Sequence, residues 1–74
     1  PELSPELIQT LLLIAEGHTN WEIAEQLSTP ENQLNDNSIR ERRRKLRYLL
    51  SAENSPHMIA KAFKFGFISV DQIE

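Results

Sequence analysis

The sequence has no cysteine and only two glycines, and its aromatic residues amount to 7% of the chain. Without cysteine there can be no disulfide framework, no thiolate metal site and no cysteine nucleophile, a composition that fits a reducing compartment such as the cytoplasm. No apolar run approaches the roughly 20 residues that span a bilayer, and Glu2 and Pro5 interrupt the start before any signal-peptide core could form. The expectation is a soluble, cytoplasmic domain with no membrane partner. The 74 residues lie near the lower limit for a fold held by one apolar core alone. They are read as one domain, 1–74, and because the sequence opens with Pro1 the domain is expected to be a piece of a longer chain.

Basic residues are also few, but they are concentrated. Arg40, Arg42, Arg43, Arg44, Lys45 and Arg47 account for six of the eight, only Lys61 and Lys64 lie elsewhere, and the formal net charge is -3. Ten of the eleven acids lie outside that stretch. The molecule is therefore bipolar, a basic segment on an acidic body.

The punctuation is helical throughout. Ser4-Pro5 and Ser55-Pro56 each offer a capping hydroxyl followed by proline at the first helical position. Gly17 and Gly66 stand where a left-handed residue closes a helix. They bound a first helix with Leu7, Ile8, Leu11, Leu12, Ile14 and Ala15 on a wide apolar face, and a fourth with Ile59, Ala62 and Phe63 inward. Thr19 with Glu22 three residues later forms a capping-box pattern that opens a second helix over about Asn20–Leu27. The third helix is predicted over Ser38–Leu50, with Ile39, Leu46 and Leu50 on one face. Between them, Ser28–Asn37 reads as a loop with one helical turn around Pro30–Leu34. No strand alternation occurs, so the fold class is all-α with four helices.

At 3.6 residues per turn, Arg40, Glu41, Arg44, Lys45, Arg47 and Tyr48 fall opposite the apolar stripe of helix three, and Arg42 and Arg43 flank it. A charge run is usually only a solvated face. Here, however, like charges adjoin one another, a cost that a polyanion relieves, and arginine's forked donors match guanine edges and phosphate oxygens. Helix three is therefore the expected nucleic-acid surface. His18 and His57 have no partners that would make a triad or a zinc site, so no catalytic residue, cofactor, metal or small-molecule ligand is expected, and the domain is read as not an enzyme. For Trp21, at the beginning of helix two, anchoring the core or its rim is favoured over stacking on a sugar or lying against DNA backbone. Met58 and Phe65 are expected to project together as an exposed apolar patch.

Three ordered blocks sharpen this reading. Leu3–Leu27, with Ala15-Glu16-Gly17 and Asn20, Glu22, Ile23 and Ala24, resembles the opening helix, turn and scaffold helix of LuxR/GerE-type (NarL-like) helix-turn-helix domains of bacterial response regulators. Ser38-Ile39-Arg40, followed by Leu46 and Leu50, is similar to that family's recognition helix. Met58–Ile68, with Ile59, Ala62, Gly66 and Ile68 in register, resembles its closing helix. The resemblance implies a transcription regulator's output domain, with an upstream sensor or receiver domain elsewhere. It also implies double-stranded DNA as partner, helix three in the major groove with Arg40, Glu41 and Arg44 at base edges, and a homodimer contact through helix four at Met58, Lys61 and Phe65. Arg43, Lys45 and Arg47 would hold phosphates, with Ser38 adding a backbone contact. The chain departs from the pattern in its longer link between helices two and three, and in Trp21 where the family has a lysine. The competing expectation, favoured by the net negative charge, is a domain of the same fold whose basic helix docks on an acidic protein.

Overall fold

In a computed structural model, which describes residues 2–73, the chain folds as four α-helices: α1 (Pro5–Ala15), α2 (Asn20–Leu27), α3 (Asp36–Leu49) and α4 (Ser55–Lys64). A short 3₁₀ turn follows at Val70–Gln72, and there is no β-strand among the described residues. The all-α four-helix class is thus observed.

Local chemistry sets the boundaries. Ser4 caps α1 with Pro5 at its first turn, and Thr19 and Glu22 complete a reciprocal box at α2: Glu22 N–H donates to Thr19 Oγ1 at 3.1 Å, and Thr19 N–H donates to Glu22 Oε1 at 2.8 Å. The Thr19 contacts hold the Glu22 carboxyl below its ordinary range, with a smaller contribution from His18. Gly17 and Gly66, at φ 91° and 78°, close α1 and α4. In each case the residue after the glycine bonds five residues back, His18 to Leu13 and Phe67 to Ala62. The same closure ends α3, where Ala52 N–H reaches Arg47 O at 2.8 Å, but there Ser51 takes the left-handed conformation at φ 53°.

Two helix starts differ from expectation. Asn35, not Asn37 or Ser38, caps α3, so that helix opens two residues before Ser38. Asn54, not Ser55, caps α4, and its Oδ1 accepts from His57 N–H at 2.8 Å. In both, an asparagine with extended backbone takes the cap and its Oδ1 accepts from the third helical N–H. The expected helical turn at Pro30–Leu34 is absent. Thr29 and Asn32 instead exchange backbone hydrogen bonds at 3.0 and 3.1 Å around Pro30-Glu31, a tight turn fixed further by Thr29 Oγ1 accepting from Asn32 N–H.

The apolar residues divide into two adjoining clusters. Leu7, Leu11, Leu46, Leu50, Met58, Ala62 and Ile68 join α1, α3 and α4, while Ile23, Ala24 and Ile39 join α2 to α3 with Leu13, Ile14, Leu27 and Leu34 around them. Every helix packs against α3, which makes it the central strut as well as the bearer of the basic residues. Met58 is fully buried, correcting the expectation that it shares an exposed patch with Phe65. Only Phe65 is exposed there, with its ring edge-on to Phe67.

Candidate nucleic-acid interface

The sequence of α3 determines both faces. Ile39 and Leu46 are buried, one on each apolar cluster, and their spacing fixes the rotation of the helix about its axis. Asn37, Arg40, Glu41, Arg44, Lys45 and Tyr48 consequently form a continuous solvent-facing strip, and Arg42, Arg43 and Arg47 lie half-buried along its margins. Of the residues expected to meet nucleic acid, Arg40, Glu41, Arg44 and Lys45 are brought together on this strip. Tyr48, 82% exposed, continues it toward the C-terminal end.

Two of the three marginal arginines, Arg42 and Arg43, have structural partners. Arg42 Nη1 donates at 3.1 Å to Thr10 Oγ1 on α1, and the fully buried Thr10 hydroxyl donates in turn at 2.8 Å to Glu6 O. A buried hydroxyl is tolerated only when it is paired, and here it both donates and accepts. Arg43 Nε donates at 2.6 Å to Asn20 Oδ1, in the first turn of α2. This is one of the phosphate contacts expected from sequence, and its Nε is already committed inside the protein. Burial, reinforced by repulsion from Arg47 and opposed by Asp36, holds the Arg43 guanidinium below the usual arginine range. It stays protonated nonetheless, because arginine does not lose its proton in proteins. One guanidinium from α3 is thus bolted to α1 and another to α2.

Two further residues are partly engaged. Arg40 Nε pairs with Asp36 Oδ2 at 2.7 Å one helical turn back, and both side chains are largely exposed. Such a pair contributes at most about 1 kcal/mol, so a stronger anion can displace it. Ser38 is the third residue of the helix and is absorbed into the cap: its N–H donates to Asn35 Oδ1 at 2.9 Å, its Oγ donates to the same oxygen at 3.1 Å, and Asn35 N–H donates to Ser38 Oγ. Its expected backbone contact would have to come from a hydroxyl already serving the helix.

Thr10 does not stand out in the sequence, and Asn20 does so only as part of the family resemblance, without its role as partner of Arg43. Asn20 carries a faint signal, since a side-chain amide at the first position of a helix has no local partner once Thr19 holds the cap. Thr10 carries none, because a threonine amid leucines looks like a gap in the apolar face. The surface expected of α4 fares less well. Met58 is core, Lys61 Nζ is drawn back to Ser51 O at 2.9 Å, and Phe65 alone remains projecting. Trp21 is not a core anchor but is 66% exposed on α2.

Among the described residues, no group of three or more histidine, aspartate or glutamate side chains is placed to hold a metal, and no helix is long and apolar enough to cross a membrane. Comparison of the chain with protein-family models, with curated proteins and with solved structures gives no match.

Proposed function

We propose that this domain binds double-stranded DNA in a sequence-dependent manner, as the output domain of a bacterial transcription regulator of the LuxR/GerE type, with α3 lying in the major groove. The observation that carries the reading is the solvent-facing strip of Arg40, Glu41, Arg44 and Lys45 on a helix that Arg42 and Arg43 fasten to its neighbours. A helix entering a groove must hold its orientation, and the two bolts supply that without using the strip itself. Arg40 and Arg44 offer forked donors to guanine O6 and N7, and Glu41 can accept from a cytosine amino group. Lys45 and Arg47, with the outer nitrogens of Arg43, reach phosphates and set the register. Asp36 keeps Arg40 extended along the helix until phosphate or a base edge replaces it. A homodimer through α4 would place two such helices about one turn of DNA apart, its contact reduced to Phe65 and the stem of Lys61.

The test is base-specific. Duplexes selected from a random pool should share a short preferred site. Arg44→Ala should relax discrimination at one base pair of it by about 1–3 kcal/mol while leaving the other positions unchanged. If selection returns no preferred site, or if Arg40→Ala, Glu41→Ala and Arg44→Ala each weaken all duplexes equally, sequence readout by α3 is excluded. The basic strip then points to an acidic protein surface, the reading that the net charge of -3 favours.

A further inference from the structure

The turn that lengthens the α2–α3 link has a consequence on the other side of α2. Trp21, Ala24, Glu25, Ser28, Gln33 and Leu34 line a half-open notch of about 260 Å³. That is smaller than the pockets of about 300–1,000 Å³ that hold small ligands, and it suits one inserted side chain. Its far wall is held in place: Ser28 Oγ accepts from Leu34 N–H at 2.8 Å and donates to Ala24 O at 2.7 Å, and Gln33 Nε2 donates to Thr29 O at 3.1 Å. The notch is therefore formed before anything enters it, which lowers the ordering cost of binding.

Its chemistry is the reverse of the α3 strip. Residues 20–35 contain Glu22, Glu25 and Glu31 and neither lysine nor arginine, and all three carboxylates are exposed. Glu25 makes no hydrogen bond or ion pair among the described residues. Glu25, the one charged residue lining the notch, favours a cation over a phosphate beside the exposed indole. We infer that the notch is a docking site for an arginine- or lysine-bearing segment of a partner protein, the cation lying over the Trp21 indole and against the Glu25 carboxylate. The methylene stem of that side chain would cover Ala24 and Leu34. Arginine fits better than lysine, since its planar head stacks on an aromatic face while its edge still donates to a carboxylate. The inference stands independently of the DNA reading.

Trp21 is the one tryptophan in the chain, so its indole N–H gives a single unambiguous resonance. The isotopically labelled chain is titrated with the peptide acetyl-Gly-Leu-Arg-Leu-Gly-amide to about 10 mM, well above the millimolar dissociation constant that a few kcal/mol of contact provides. The expected result is a saturable shift of the indole resonance together with the amides of Ala24, Gln33 and Leu34. The same peptide with neutral citrulline in place of arginine should bind about tenfold more weakly, because both the cation–π and the cation–carboxylate attraction are lost, and the arginine peptide should bind Glu25→Gln about two- to fivefold more weakly, because the second alone is lost. Arg40→Ala with Arg44→Ala should leave the titration unaltered. The inference is overturned by the absence of a saturable shift, by equal binding of the citrulline peptide, or by full binding to Glu25→Gln. It is equally overturned if duplex DNA, or an increase in the concentration of the chain alone, moves the indole resonance in place of the peptide.

Discussion

Ser51 shows how much a single backbone angle can carry. It sits at φ 53° and closes α3 in the position that glycine occupies after α1 and α4. A left-handed conformation costs a residue with a Cβ about 1–2 kcal/mol, and glycine's greater freedom in the unfolded chain gives back about 0.5–1 kcal/mol of that. Ser51→Gly should accordingly raise stability by about 0.5–1 kcal/mol in thermal or urea denaturation, and a loss of stability would show that the serine side chain has a role of its own. Glu22 makes a pH-dependent contribution. Its carboxyl is held low by the Thr19 contacts at the start of α2, so its stabilisation is fully present above the ordinary glutamate range and is lost as pH falls through its depressed value. Glu22→Gln should flatten the acid limb of the stability profile there. An unchanged profile would mean that the box persists with a protonated carboxyl.

At the scale of elements, what could be read in advance followed the strength of the local signal. α2 was legible to the residue, Asn20–Leu27, because Thr19 and Glu22 form a two-sided cap that admits one register. The start of α3 was not. Asn35, Asp36, Asn37 and Ser38 are all capping types, and the choice among them falls to tertiary packing, which must bring Ile39 onto Ile23 and Ala24. The end of α3, expected at Leu50, falls one residue earlier at Leu49 with Leu50 as the cap, but the left-handed Ser51 that closes it leaves no mark in a sequence. The outer strip of α3 was readable because exposure follows from helical period once Ile39 and Leu46 point inward. The bolts were not, since Arg43 to Asn20 and Arg42 to Thr10 join residues on different helices. These bolts carry a prediction of their own. Asn20→Ala should leave the helix content intact and lower DNA affinity about three- to tenfold, a part of the roughly 1.5–3 kcal/mol that a hydrogen bond to a charged group is worth. The salt dependence should not change, because the number of phosphates met is unaltered. A reduced salt slope would instead show that Asn20 determines whether Arg43 reaches a phosphate at all.

Over the whole molecule, two opposed electrostatic surfaces share one small body. The chain, with the arginines of α3 included, carries a net charge of -3, so long-range attraction to DNA is weak and the proposed binding must come from close contacts. The same separation of charge leaves α2 and its link acidic, so the notch beside Trp21 and the strip on α3 are proposed to meet different partners. Whole-molecule features were only half legible. The bipolar charge is plain from composition, but the notch depends on how the link folds back, and the expected helical turn there would have given a different surface. Met58 was misplaced because a helical wheel does not show which side of α4 faces α1 and α3.

The most direct test of the central claim is a fluorescence-anisotropy titration of a selected duplex across a salt series. It would compare the chain with its Arg40→Ala, Arg44→Ala double variant, with circular dichroism confirming that both remain helical. Log affinity should fall linearly with log salt at a slope near -2 to -3 per copy, the value for two or three phosphates met by Lys45, Arg47 and Arg43 at about -0.9 each. The double variant should keep a similar slope while losing the preference for the selected site. No binding at low salt by the folded chain, or equal preference in both proteins, would contradict DNA recognition by α3.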